Sequence, residues 1–164
     1  MTQSVFVVRV RVPEGARDYV TILPPESVSE RGLPSVAIVG ALTKPLGGDP
    51  AAADVFTPNP VFVRFMHDVI ARHAPLLAGL RDEAARIGDG FVYVYDARTP
   101  IPDSATMPRE DVIGAVKVEG GEPVPDSYRA NPNHQLLTSR GFFNLGEELH
   151  ACLMAEVEAL RSGG

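Results

Sequence analysis

The residues best suited to chemistry crowd into one stretch of this sequence. The run SYRANPNHQLLTSR, residues 127–140, brings a histidine together with Tyr128, Arg129, Asn131 and Asn133. A histidine here can carry protons, because its ring titrates near neutral pH and can serve as general acid or base. His134 is therefore the candidate acid/base, and Tyr128, Arg129, Asn131 and Asn133 are candidate ligand-binding groups around it. A plainer reading stands beside this one, in which Asn and Pro only make turns and the amide side chains bond their own backbone. The other histidines offer less. His67 and His73 stand six apart, on different faces of one helix and without an HExxH partner, so no metal site is expected. His150 falls within the terminal helical pattern. Cys152, the single cysteine, has no evident base or cation beside it and reads as a structural thiol rather than a nucleophile.

The elements that must position these residues follow from periodicity. SVFVVRVRV (4–12) alternates Val with Arg over its second half, the period of a strand with one buried face. Pro24-Pro25 and the polar run to Gly32 read as a loop, and SVAIVGAL (35–42) as a buried strand. KPLGGDPAAAD (44–54) is an irregular connection. Asn59 can cap a helix that Pro60 begins, with Val61, Phe62, Phe65, Met66, Val69 and Ile70 on one apolar face. A second helical stretch starts at Pro75, and Gly88 is placed to end it. FVYVY (91–95) and DVIGAVKV (111–118) are strands; a turn at EGGE closes the latter, and Gly114 marks a bulge or a close backbone approach. A last helix follows Asn144, with Leu145, Leu149, Leu153, Val157 and Leu160 on its buried side. The expected fold class is α+β: a single domain over residues 1–164, with a mixed or antiparallel sheet and two or three helices packed on it.

Composition narrows the function. Of 164 residues, 45% are hydrophobic and 22% charged, an ordinary globular balance. No apolar run reaches the roughly 18–20 residues of a membrane span, and the N-terminus has no signal-peptide pattern. With one cysteine, no internal disulfide can form. A cytoplasmic protein is expected, and the Ala-, Arg-, Pro- and Gly-rich composition suggests a bacterial one. The net charge of −6 is uneven: residues 1–100 carry ten Lys/Arg against eleven Asp/Glu, residues 101–164 five against ten. Such a chain repels phosphate backbones, so nucleic acid is not an expected partner; the acidity suits a basic protein partner, with the plainer alternative that it only keeps the chain soluble.

Three pieces carry a family resemblance. VVRVRVPEG opens the chain, FVYVYDARTP (91–100) follows at mid-chain, and MPREDVIGAVKV (107–118) comes after it. In this order they resemble ADP-ribosyltransferase toxins of the cholera–pertussis type. The resemblance implies NAD as cofactor, held by Arg9 on the first strand with Thr57 and Tyr93. It also implies a catalytic acid in the region that Asp103 occupies. Two departures go with it. VFTPNP (55–60) stands where a Ser-Thr-Ser strand belongs, leaving Thr57 as its only hydroxyl, and no glutamate lies between Tyr95 and Glu110. An acid in this chemistry stabilises the sugar cation as nicotinamide leaves, and a displacement of about 1 Å costs on the order of 100-fold. The expected functions are thus an NAD-binding ADP-ribosyltransferase-like protein, active or degenerate; a non-enzymatic acidic protein of immunity or adaptor type that covers a basic partner; and a small-molecule site built on His134.

Overall fold

A computed structural model describes residues 5–43, 55–98, 108–138 and 140–163. Its sheets are antiparallel and its class is α+β. Among the described residues no helix is long and apolar enough to cross a membrane. The connection expected at 44–54 and the candidate acid Asp103 lie outside the described residues. The chain forms two compact units, one of residues 1–66, 136–142 and 154–164, the other of residues 67–135 and 143–153.

The first unit is built on four antiparallel strands in chain order: β1 (Phe6–Val12), β2 (Gly15–Thr21), β3 (Ile38–Leu42) and β4 (Phe56–Pro58). β1 keeps its sequence period, with Val7, Arg9 and Arg11 exposed and Phe6, Val8, Val10 and Val12 half-buried. β2, GARDYVT, is polar in its first half and carries no strand signal; pairing with β1 from Phe6↔Thr21 to Val12↔Gly15 makes it one. β3 starts at Ile38 rather than residue 35, because Ser35–Ala37 form a 3₁₀ turn. Thr21 is fully buried, and its hydroxyl donates to the Ala37 carbonyl at 2.8 Å and accepts the Leu23 N–H at 3.1 Å. The supposed loop before Gly32 holds a short helix, α1 (Pro25–Arg31), with Pro at its start, Glu26 in its first turn and Arg31 in its last. The tail of the last helix holds it there. Arg161 donates to the Ser27 hydroxyl at 2.7 Å and to the Ser27 and Gly32 carbonyls, and Arg31 pairs with Glu158. Tertiary contacts of this kind are not visible in local sequence.

Asn59 acts as read. Its Oδ1 accepts the Val61 N–H at 3.2 Å at the start of α2 (Pro60–His73), while its Nδ2 donates to the Ser35 and Ile38 carbonyls. In the second unit α3 (Ala78–Ile87) ends at Gly88, whose N–H returns to the Ala84 carbonyl at 3.0 Å. The helix begins at Ala78 because Ala74–Leu76 are a 3₁₀ turn. β5 (Gly90–Tyr95) pairs antiparallel with β6 (Val112–Glu119), which also pairs with β7 (Glu122–Pro123) and β8 (Arg129–Ala130). Gly120 and Gly121, both at positive φ, make the expected turn between β6 and β7. Val92 and Val118 are buried with Ala84 of α3, and Leu80 and Ile87 pack against them. Near the other end of the pair the register shifts between Val94 and Tyr95. β9 (Leu137–Thr138) and β10 (Gly141–Phe142) form a two-stranded ribbon, and α4 (Gly146–Gly163) closes the chain. The Asn144 side chain accepts the Gly146 N–H at 2.9 Å where α4 begins.

Candidate functional site

His134 belongs to a sealed cluster of charges. Its Nε2 lies 2.9 Å from Asp96 Oδ2, and because a carboxylate can only accept, that nitrogen carries the proton. The His134 side chain is 2% exposed and Asp96 0%. Arg98 joins them with its Nε 2.8 Å from Asp111 Oδ1 and 3.6 Å from Asp96 Oδ2, at 4% and 0% exposure. Its Nη2 donates to the Glu110 and Gln135 carbonyls. The backbone N–H groups of Arg98 and Asn144 both donate to Asp96 Oδ1, at 3.1 and 2.9 Å.

Buried carboxylates are tolerated only when their lone pairs are met by donors, and here the donors come from three separate chain segments and the carboxylates from two, four segments in all. The end of β5, the turn before β6, the 131–135 loop and the residue leading into α4 are tied at one point. The backbone repeats the tie, with Asp96 N–H to the Asp111 carbonyl at 2.8 Å, Ala97 N–H to Asn144 at 2.7 Å and Gln135 N–H to Glu110 at 3.1 Å. A substrate in solvent does not touch a His134 so enclosed.

The sequence reading singled out His134 but missed Asp96, Arg98 and Asp111. A signal was there: once FVYVY and DVIGAVKV pair, the charged residues just beyond their ends, DAR and RED, must meet.

The other candidates in the loop hold the backbone in place. Asn131 Nδ2 donates to the Arg109 and Val112 carbonyls at 2.8 and 2.7 Å, and its Oδ1 accepts the Asn133 N–H at 3.1 Å. The Tyr128 hydroxyl lies 2.8 Å from Nδ1 of His67. Burial raises the Tyr128 pKa, so the phenol stays protonated and donates to the imidazole. Burial, and next the charge of His134, lower the His67 pKa to about 4, keeping it a neutral acceptor. Gly114 explains the approach of Tyr128. A Cβ there would overlap the Tyr128 hydroxyl and sit 2.6 Å from the Arg129 carbonyl, so Gly114 is a close approach, as its place in a strand suggested. Arg129 is exposed on β8.

In the first unit, Arg9 and Thr57 line one open groove of about 630 Å³ with Arg17, Asp18 and Thr43. The Arg9 guanidinium is forked onto Asp18, Nε to Oδ1 at 2.8 Å and Nη2 to Oδ2 at 3.3 Å. That bond raises the Arg9 pKa and lowers that of Asp18. Among the described residues β1 is also an edge strand, and the outward Arg9 and Arg11 give it the charge that discourages a further strand from adding.

Tyr93 lies in the second unit on a surface of a different kind. It and Phe91 point away from the buried Val92 and Val94, and each is 47% exposed. Their strand, GFVYVY, has no charge and no proline. Among the described residues β5 pairs with β6 on one side and with no strand on the other. A groove of about 610 Å³ runs along that open side, lined by every β5 residue from Phe91 to Tyr95, by Ala74, Leu77, Gly79, Leu80, Ile87 and Leu149, and by Glu83 and Arg86, which pair with each other. Successive strand residues face opposite ways, so a groove that touches all five follows the strand's edge rather than either face. Charge separates the units as well. Residues 67–135 and 143–153 hold seven Lys/Arg against thirteen Asp/Glu, net −6, while the remainder holds eight against eight. The acidity that the sequence placed after residue 100 thus belongs to the unit bearing the aromatic strand. No family model matches the chain, and neither a curated protein nor a solved structure matches it.

Proposed function

We propose that this chain is a binding protein whose acidic unit receives a cationic protein partner. The observation that carries this reading is the coincidence, on one unit, of the whole net charge of −6 with the exposed Phe91 and Tyr93. Exposed aromatics supply contact area, and the net negative charge of the unit steers a basic partner and selects against acidic ones. The enclosed His134 cluster serves this function by holding the loops around β5 and β6 in place.

Two triple variants test the proposal. Glu122, Glu147 and Glu148, exposed on the acidic unit, are changed to Gln; Glu14, Glu26 and Glu30, exposed on the other, are changed likewise. Binding of a lysine-rich peptide is followed by calorimetry at low and at physiological salt. The first triple is expected to weaken binding strongly at low salt and the second barely, with wild-type affinity falling as salt rises. Equal effects of the two triples, or no salt dependence, would refute it.

A second reading has its own support. Arg9 and Thr57, the residues that the ADP-ribosyltransferase resemblance assigns to NAD, line the same groove. Against it stands the Asp18 carboxylate, already bonded to Arg9 and repulsive to a diphosphate. Asp18→Asn should then strengthen any thermal shift that millimolar NAD produces, and Arg9→Ala should abolish it. With no shift in wild type or in Asp18→Asn, the NAD reading fails.

A further inference from the structure

We infer that the groove between β5 and α3 takes an extended cationic segment of the partner, added as a further strand to the open edge of β5. This rests on the binding reading above and specifies its mode. A strand in an antiparallel sheet directs alternate backbone N–H and C=O groups to each side. Those of β5 that face away from β6 point along a groove where Leu77, Leu80 and Ile87 stand beside the mutually paired Glu83 and Arg86, so main-chain bonding and side-chain burial are offered together. That is the arrangement by which strand-addition domains read peptides: the backbone gives affinity, and pockets for alternate side chains give selectivity. At roughly 3.3 Å per residue, the stretch of β5 from Gly90 to Val94 presents an edge of about 16 Å.

The contrast with β1 sharpens the assignment. Both are edge strands of antiparallel sheets, but β1 turns Arg9 and Arg11 outward, whereas β5 has aromatics where such charges would stand. Edges left bare in this way invite strand pairing. Two occupants compete for the groove, a second copy of the chain and a foreign segment. Pairing two β5 edges would bring together two units of charge −6 each, while a basic segment is drawn to the same field. The favoured occupant alternates apolar residues, turned toward Leu77, Leu80 and Ile87, with Lys or Arg turned outward.

The probe is a ten-residue peptide alternating lysine and valine, compared with the same peptide N-methylated at alternate residues and with a glutamate–valine version. Gly79 supplies the blocking variant. It lines the groove, its φ is ordinary for an L-residue, and a Cβ there meets nothing within 4 Å, so Gly79→Trp sets an indole at the groove without backbone strain. The lysine peptide should bind, slow amide hydrogen exchange at residues 91–95, and lose at least tenfold in affinity both on N-methylation and in Gly79→Trp. Strand addition is overturned if the N-methylated peptide binds as well as its parent, a comparison that needs no variant. It is also overturned if binding survives Gly79→Trp while protection appears elsewhere; either result leaves the acidic-partner reading standing. If the glutamate peptide binds as tightly as the lysine one, the acidic-partner reading falls instead. A dimer in sedimentation that Gly79→Trp dissociates would put a second copy in the groove and overturn the foreign occupant.

Discussion

Replacing Arg98 by methionine removes a guanidinium that faces both Asp96 and Asp111, whose side chains are 0% exposed. Asp96 would keep the two backbone N–H groups and His134, but Asp111 Oδ1 would lose its 2.8 Å partner. The Glu110 and Gln135 carbonyls would each lose a donor too. Breaking a buried ion pair from one side costs about 3–5 kcal/mol, most of it the penalty of an unpaired charge in a dry interior. With a urea slope of roughly 2 kcal/mol per molar, the unfolding midpoint should fall by about 2 M. Circular dichroism suits the measurement, since the chain has no tryptophan. Because part of the cost is a buried carboxylate deprived of its cation, removing that second charge should repair part of it. Arg98→Met/Asp111→Asn is expected to be more stable than Arg98→Met alone, by roughly 1–2 kcal/mol of coupling. A midpoint loss worth under about 1 kcal/mol, or strictly additive variants, would refute the account of the cluster as a stabilising tie between four segments.

Two further predictions use the Tyr128 neighbourhood. Gly114→Ala should cost roughly 1–3 kcal/mol by pushing out Tyr128 and the β8 backbone, and should speed amide exchange at residues 129–131, where Asn131 bonds Ile113. Gly79→Ala, inside α3 with open space around it, should be neutral to slightly stabilising; equal losses at the two glycines would remove the steric argument. His67 sets a pH dependence. Its pKa is about 4 in the fold against 6.5 free, so between those values the unfolded chain binds a proton that the native state refuses. Stability from this group is full above pH 6.5 and is lost as pH falls toward 4. The full linkage would exceed 3 kcal/mol, but the ring is only partly buried, and solvent reduces the expected loss to about 1–2 kcal/mol. His67→Gln keeps an acceptor for Tyr128 and should lessen the fall in urea midpoint between pH 7 and pH 4.5; an unchanged fall would count against it.

The parts of the fold legible in sequence are those set by short-range pattern. The strands at 6–12, 90–95 and 112–119, the Asn59 cap, the Gly88 helix end and the Gly120-Gly121 turn all follow from periodicity or from backbone demands that few residues meet. β2 and α1 were illegible for a physical reason: β2 is a strand because β1 pairs with it along seven residues, and α1 is held by Arg161 from 134 positions away. The site was legible in the same proportion. His134 stood out as a histidine in a polar loop, but its partners Asp96, Arg98 and Asp111 lie up to 38 residues away and meet it only because β5 and β6 pair.

The same comparison reverses where recognition is to be sought. The stretch from 127 to 140 looks rich in ligand-binding groups, yet Ser127, Asn131 and His134 spend their polar atoms on the Lys117 N–H and Val124 carbonyl, on Arg109 and Val112, and on Asp96. A long irregular segment has no ladder to satisfy its backbone, so side-chain polarity does that work. GFVYVY carries no titratable group that sequence logic would prize beyond its tyrosines, but it ends with Phe91 and Tyr93 47% exposed on the open strand of an acidic unit. Folding alone does not call for exposed aromatics there; alternating polar residues would pair with β6 equally well and leave the edge safe from aggregation. On the binding reading proposed above, that exposure rather than the polar loop marks the surface to be tested first.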